Sequence, residues 1–201
     1  MKTKLTKEIE LALTKKVLAS KFRTKYGALE VPCGNWLGKG KENIDFATYT
    51  PSTQEITCYE IKVSKADFNS NASLSFYGNK NYLVAPYSLA KPIAVALQTH
   101  NHQVIDKWTH RKEMLYDSVG IIAYLPETLN EIKEFYRPVT LLTQAIQDYS
   151  KCQQSFIVLK PCRIKNIHLA QKASLTEGIL RAGCRDASKY YLERNVHDNN
   201  I

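Results

Sequence analysis

The sequence predicts a mixed α/β fold, a β-sheet core flanked by helices. Three observations predict it. Two runs rich in β-branched and aromatic residues, Ile44-Asp45-Phe46-Ala47-Thr48-Tyr49 and Ile56-Thr57-Cys58-Tyr59-Glu60-Ile61-Lys62-Val63, flank a short break containing Pro51 and Ser52. That pattern reads as a strand hairpin. A third apolar run, Tyr82-Leu83-Val84-Ala85, follows a short helix, and strand–helix–strand at this spacing implies a parallel, right-handed crossover. Helical patterns bracket these strands at both ends of the chain.

Taken in order, residues 3–22 read as a helix because Leu5, Ile9, Leu13 and Val17 recur at four-residue spacing, with Thr6 as cap of a shorter version. Glu8 and Glu10 fall on opposite borders of that apolar stripe. Leu29-Glu30-Val31-Pro32 reads as a short strand ended by its proline. Asn35-Trp36-Leu37-Gly38-Lys39-Gly40-Lys41 is a glycine-punctuated loop without the P-loop pattern. After the hairpin, Ser64 and Asp67 form a capping box that starts a short helix, and Gly78 closes the region. Residues 88–99 read as a helix with Pro92 in its first turn. Residues 100–117 are polar, and His100, His102 and His110 read as surface residues. Residues 118–124 read as a buried strand, 126–135 and 138–149 as helices, and 156–159 as a strand ended by Pro161. From 168 to 194 the pattern is helical, with Gly178 or Gly183 as possible interruptions.

Composition narrows the class. Of 201 residues, 44% are apolar, as in a globular domain, and no apolar run reaches the roughly 20 residues that span a bilayer. The start of the chain, Met1-Lys2-Thr3-Lys4, carries charge without an apolar stretch after it, which argues against a secretory signal and for the cytoplasm. Twenty-eight basic against 19 acidic side chains give a net charge of +9, which suits a polyanionic partner. The five cysteines are odd in number and contain no CxxC pair, which argues against a disulfide framework and a zinc ribbon. Cys58 reads as a small core hydrophobe, and Cys162 with His168 fits no standard metal spacing.

The charges inside the hairpin carry the chemistry. Side chains alternate along a strand, so Glu60 and Lys62 share a face, roughly 6.6 Å apart. With the turn centred between Ser52 and Thr53, Tyr49 faces Ile56, Ala47 faces Cys58 and Asp45 faces Glu60. Opposed residues lie roughly 5 Å apart at Cβ. Two carboxylates at that distance repel, and a hard divalent cation between them removes the repulsion. A buried ion pair in an ordinary hairpin explains one acid with Lys62, but not both acids.

The set Asp45 and Glu60-Ile61-Lys62 resembles the PD-(D/E)xK nuclease superfamily, with its restriction-endonuclease-like mixed sheet. The runs Tyr59-Glu60-Ile61-Lys62-Val63-Ser64-Lys65-Ala66-Asp67-Phe68 and Phe76-Tyr77-Gly78-Asn79-Lys80-Asn81-Tyr82-Leu83-Val84-Ala85-Pro86 are similar to the MmcB-like DNA-repair and phage-encoded subgroup. Ile44 stands before Asp45 where the family pattern has proline. The resemblance implies a nuclease-like core over 1–160 and a helical extension of the same domain over 161–201. It implies Mg²⁺ or Mn²⁺ on Asp45, Glu60 and the Ile61 carbonyl, Lys62 as the catalytic cation, and Glu10 as an acid lent by the first helix. DNA is the expected partner and a homodimer is possible. Candidate backbone contacts are Lys39, Lys41, Lys65, Lys80 and a stripe of Arg181, Arg185 and Lys189 at four-residue spacing. The alternatives are a DNA-binding protein that keeps the fold without cleaving, and a small-molecule enzyme or assembly module whose charged hairpin is structural.

Overall fold

The computed structural model describes residues 2–18, 24–33, 42–70, 74–98, 118–125 and 155–198, with backbone only at 98 and 192–198. In chain order it contains α1 (Lys4–Leu18), β1 (Tyr26–Pro32), β2 (Asn43–Thr50), β3 (Glu55–Ile61), α2 (Lys65–Phe68), β4 (Lys80–Pro86), α3 (Tyr87–Gln98), β5 (Val119–Tyr124), β6 (Phe156–Lys160) and α4 (Leu169–Asp198). The strands form one six-stranded sheet in the order β1-β2-β3-β4-β5-β6. β3, β4 and β5 run parallel to one another, and the remaining neighbours are antiparallel. This is the mixed α/β sheet flanked by helices that the alternating patterns predict.

The hairpin keeps the expected register. Tyr49 pairs with Ile56 and Ala47 with Cys58, so the step beyond Phe46–Tyr59 brings Asp45 level with Glu60. The four-residue turn closes with Gln54 at φ 54° and its N–H on the Pro51 carbonyl at 3.3 Å. β1 is longer than its apolar centre suggests. It starts at Tyr26 because pairing with β2 extends across Gly27 and Ala28.

Three apolar clusters share the sheet. α1 lays Ile9 and Leu13 against Phe46, Tyr59 and Ile61. α4 lays Leu175, Ile179 and Ala182 against Ala28, Val31 and Ile44. α3 covers the β4–β5 end with Ala90, Ile93, Ala94 and Leu97. Each fully buried aliphatic side chain is worth about 1.5–3 kcal/mol.

Several local expectations change. The cap of α1 is Thr3, not Thr6: Thr3 Oγ1 accepts the Thr6 N–H at 3.1 Å. α3 begins at Tyr87, so Pro92 lies inside the helix rather than in its first turn. The Ser64 cap forms as read, its hydroxyl accepting the Asp67 N–H at 3.1 Å. α4 runs without interruption through Gly178 and Gly183, spanning roughly 45 Å at 1.5 Å per residue. At Gly178 the helix presses on β1, where an added Cβ would stand 2.6 Å from the Pro32 carbonyl oxygen. The expected loop at 35–41, the three histidines and the helices at 126–135 and 138–149 lie outside the described residues. Cys33, Cys58, Cys162 and Cys184 are free thiols. No helix among the described residues is long and apolar enough to cross a membrane.

Candidate functional site

β2 and β3 are buried because apolar residues dominate both of their faces, and this burial carries Asp45, Glu60 and Lys62 inward with them. Glu60 is 2% exposed and Lys62 6%; Asp45 is half-buried. Asp45 Oδ2 accepts the Ile61 N–H at 2.7 Å. Glu60 Oε1 accepts the Ser75 N–H at 3.2 Å. The Lys62 ammonium lies 3.8 Å from Asp67 Oδ1, and its backbone N–H joins the Val84 carbonyl on β4 at 2.9 Å. Ile61 thus enters the site by its N–H, while its side chain packs into the core.

The electrostatics follow from these distances. Burial, opposed by the Ile61 N–H and the charges of Lys62 and Lys2, holds the Asp45 carboxyl above its ordinary range. Burial and then the Asp45 charge raise Glu60 well above its ordinary value, against the pull of Lys62 and the Ser75 N–H. If both acids ionised roughly 5 Å apart at an effective dielectric near 20, they would repel by about 3 kcal/mol. One cation and two N–H groups do not offset desolvation and that repulsion together. The pair therefore holds a proton more tightly than free carboxylates do, as acids arranged for chemistry often do.

The structure also gathers residues that the sequence pattern did not single out. Glu30 lies between Leu29, which pairs with Phe46, and Val31, which pairs with Ile44, so it falls level with Asp45. One carboxylate from each of β1, β2 and β3 therefore stands in a row. Glu30 has φ 51°, a left-handed conformation uncommon for a residue with a side chain. The Lys2 ammonium bridges Glu10 and Glu30. Burial lowers the affinity of Lys2 for its proton, but the hydrogen bonds and charges of Glu10 and Glu30 outweigh it and hold the ammonium above its usual value. Glu10 is 6% exposed, whereas Glu8 accepts a hydrogen bond from the Tyr124 hydroxyl on a different strand. Of the two helix acids, Glu10 is the one beside the site.

Ser75 is 1% exposed, and its side chain lies near the Cys33 thiol, whose proton affinity it lowers against the effect of burial. Its loop is fixed by two buried asparagines: Asn79 accepts the Ile56 N–H at 3.0 Å, and Asn81 accepts the Gly78 N–H at 2.9 Å. The alternation Leu29-Glu30-Val31 could have pointed to Glu30 as an acid set between core residues. No local signal marks Lys2 or Ser75.

The other expected contacts divide. Lys39 and Lys41 lie outside the described residues. Lys65 is exposed on α2. Lys80 binds Glu55 at 2.9 Å, a cross-strand pair that gives it a structural partner. Arg181 pairs with Glu177 at 2.6 Å one turn away. Arg185 donates to the Leu29 carbonyl at 2.9 Å and to Asp186 at 2.9 Å, tying α4 to β1. The three stripe cations are therefore not equivalent.

Among the described residues, no three His, Cys, Asp or Glu side chains converge closely enough to form a metal cage. Two opposed carboxylates with raised proton affinity fit a hard cation, and the donor set is all oxygen.

No sequence-family profile matches the chain, and no curated protein matches it. A solved protein of unknown function from Silicibacter pomeroyi is similar in structure, with a TM-score of 0.50 at 11% identity over 90% of each chain. At that identity the likeness bears on the fold alone. The fold and site define a mixed α/β protein with a half-buried Asp45 on β2, a buried Glu60 on β3 and a buried Lys62 just beyond the end of β3.

Proposed function

We propose that the protein is a metal-dependent DNA phosphodiesterase of the PD-(D/E)xK kind. One observation carries the reading: Asp45 and Glu60 are brought together in the sheet, both with carboxyl pKa raised above the ordinary range, with Lys62 buried beside them. Asp45, Glu60 and the Ile61 carbonyl would hold Mg²⁺ or Mn²⁺. Such an ion supplies Lewis-acid stabilisation of charge on a phosphate and an acidified water. The chain's own residues do the rest. The Ile61 and Ser75 N–H groups fix the two carboxylates in orientation. Lys62 presents a positive charge toward a phosphodiester and orients an attacking water. Burial of Glu60 keeps bulk water away from this end of β3. The net charge of +9 suits the polyanionic substrate.

The test is cleavage of a panel of DNA forms in Mg²⁺ and Mn²⁺. The wild type should cleave at least one form. Asp45→Asn and Glu60→Gln should abolish cleavage. Lys62→Ala should slow it by orders of magnitude while Mg²⁺ affinity holds or rises. Absence of cleavage of every form with either ion would sink the reading.

One observation favours a second reading, a DNA-binding protein without cleavage. The Lys2 ammonium already balances Glu10 and Glu30 and acts on Asp45, so part of the acidic charge is met from within the chain. Firm DNA binding by a wild type that cleaves nothing would select it.

A further inference from the structure

Beside the acid pair, between the start of the chain, β1 and α4, lies an open groove of ≈ 550 Å³ lined by Lys2, Leu29, Glu30, Arg185, Lys189 and Tyr190, with Asp186 at its wall. We infer that this groove takes a single-stranded stretch of nucleic acid and leads it toward Asp45 and Glu60. The inference rests on the nuclease reading above and adds the form of the substrate.

Four features point to that occupant. The volume lies in the range of sites for small ligands, roughly 300–1,000 Å³, so it suits a nucleotide rather than the width of a duplex. Tyr190 lines the groove and is 66% exposed, an aromatic face that no core requires. Base faces are open to stacking only when a strand is unpaired, and stacking on aromatic rings is how sequence-tolerant single-strand sites gain affinity. Lys2 and Arg185 balance the groove's acids, Glu30 and Asp186, so that the wall does not repel a phosphate, and Lys189 adds a further positive charge to the lining. Finally, the groove shares two residues, Lys2 and Glu30, with the surroundings of the acid pair. Lys2 and Glu30 line it, Lys2 bridges on to Glu10, and both act on Asp45. Arg185, held on the Leu29 carbonyl, fixes the helix wall against β1, so the groove is set before a ligand arrives.

The arrangement assigns roles. Tyr190 stacks on a base, Lys189 meets a phosphate, and Lys2 stands at the boundary between groove and acids. Tyr190 is exposed, so its replacement does not disturb the core.

The experiment is fluorescence anisotropy with a labelled oligothymidylate and, separately, a blunt duplex, both in EDTA so that cleavage plays no part. Tyr190→Ala should weaken oligothymidylate binding about five- to 140-fold, the range base stacking gives. Tyr190→Phe, which keeps the ring, should bind like wild type. Lys189→Ala should flatten the log affinity against log salt slope by about 0.7, the value for one single-strand phosphate contact. The duplex should bind more weakly than the single strand and be insensitive to Tyr190→Ala. Equal binding by wild type and Tyr190→Ala overturns the inference, as does a duplex preference or an unchanged salt slope in Lys189→Ala. The two readings fail separately. Tyr190-dependent single-strand binding with no cleavage in any metal removes the nuclease and leaves the groove. Cleavage without Tyr190-dependent binding does the reverse.

Discussion

β3 and β5 are both buried along nearly their whole length, yet they are built differently. β5, Val119-Gly120-Ile121-Ile122-Ala123-Tyr124, is buried at every position and carries no charge. β3 carries Glu60 just before its last residue, Ile61, and runs on into Lys62, and both charged residues are almost completely buried. The same sheet thus supports an apolar central strand and a charged one. Burying charge is costly unless it is paired, and here the pairing leaves both acids strained toward their protonated forms. The β5 end shows what the fold needs for stability, and the β3 end shows what it carries at a cost.

Removing one side chain from each strand sharpens the contrast most. Ile121 is fully buried against Leu83 and the α3 cluster. Ile121→Ala should cost about 2–5 kcal/mol, the usual loss for a large-to-alanine change in a packed core. Glu60→Gln should leave stability in metal-free buffer unchanged or raised, since it removes a repelling, desolvated charge. Urea denaturation of both variants decides this. A large loss in Glu60→Gln would mean that Glu60 serves a structural ion pair, and the contrast would break.

The pH dependence follows from the raised acids. An acid with its folded-state pKa above its unfolded value binds more protons when folded. Its contribution to stability is full below the unfolded value, 3.8 for Asp45 and 4.5 for Glu60, and is lost as pH rises through the folded value. Wild-type stability should therefore decline with rising pH above that range. Glu60→Gln should decline less, so its advantage grows toward neutral pH and disappears in acid. A denaturation series from acid to neutral pH measures it; parallel curves for the two proteins would contradict the raised pKa of Glu60.

The smallest expected effects test how closely α4 closes the charged half of the sheet. Gly178→Ala brings a Cβ to 2.6 Å from the Pro32 carbonyl oxygen and should cost about 1–3 kcal/mol, as overpacking does. Gly183 has nothing within 4 Å of such a Cβ. Gly183→Ala should therefore stabilise the same helix, by about 0.4–1 kcal/mol through a more restricted unfolded chain. Thermal melts of the pair check both signs. Equal responses would mean that α4 does not press on β1 at Gly178.

The legible parts and the missed parts of the molecule differ in range. The hairpin register was readable because side chains alternate with a period of two and a turn of given length permits one pairing. That register brought Asp45 level with Glu60 and set Lys62 on the same face. The capping box at Ser64 was readable because its partners are three residues apart. The continuity of α4 was not, because glycine is disfavoured within helices and the compensating approach of Pro32 comes from a distant strand. The stripe of Arg181, Arg185 and Lys189 was visible as spacing, but the spacing could not show that Arg185 is spent on the Leu29 carbonyl.

By itself the sequence determined the strands, their alternation and the opposition of two acids beside a lysine, because these depend on residues close along the chain. Only the tertiary structure decided that Glu30 joins the row, that Lys2 stands among the acids, and that Ser75 supplies the N–H to Glu60. It also decided that the C-terminal helix makes a groove with β1. The physical reason is that these contacts join segments far apart in sequence, whose meeting is set by how the sheet orders its strands and where helices bury their apolar faces.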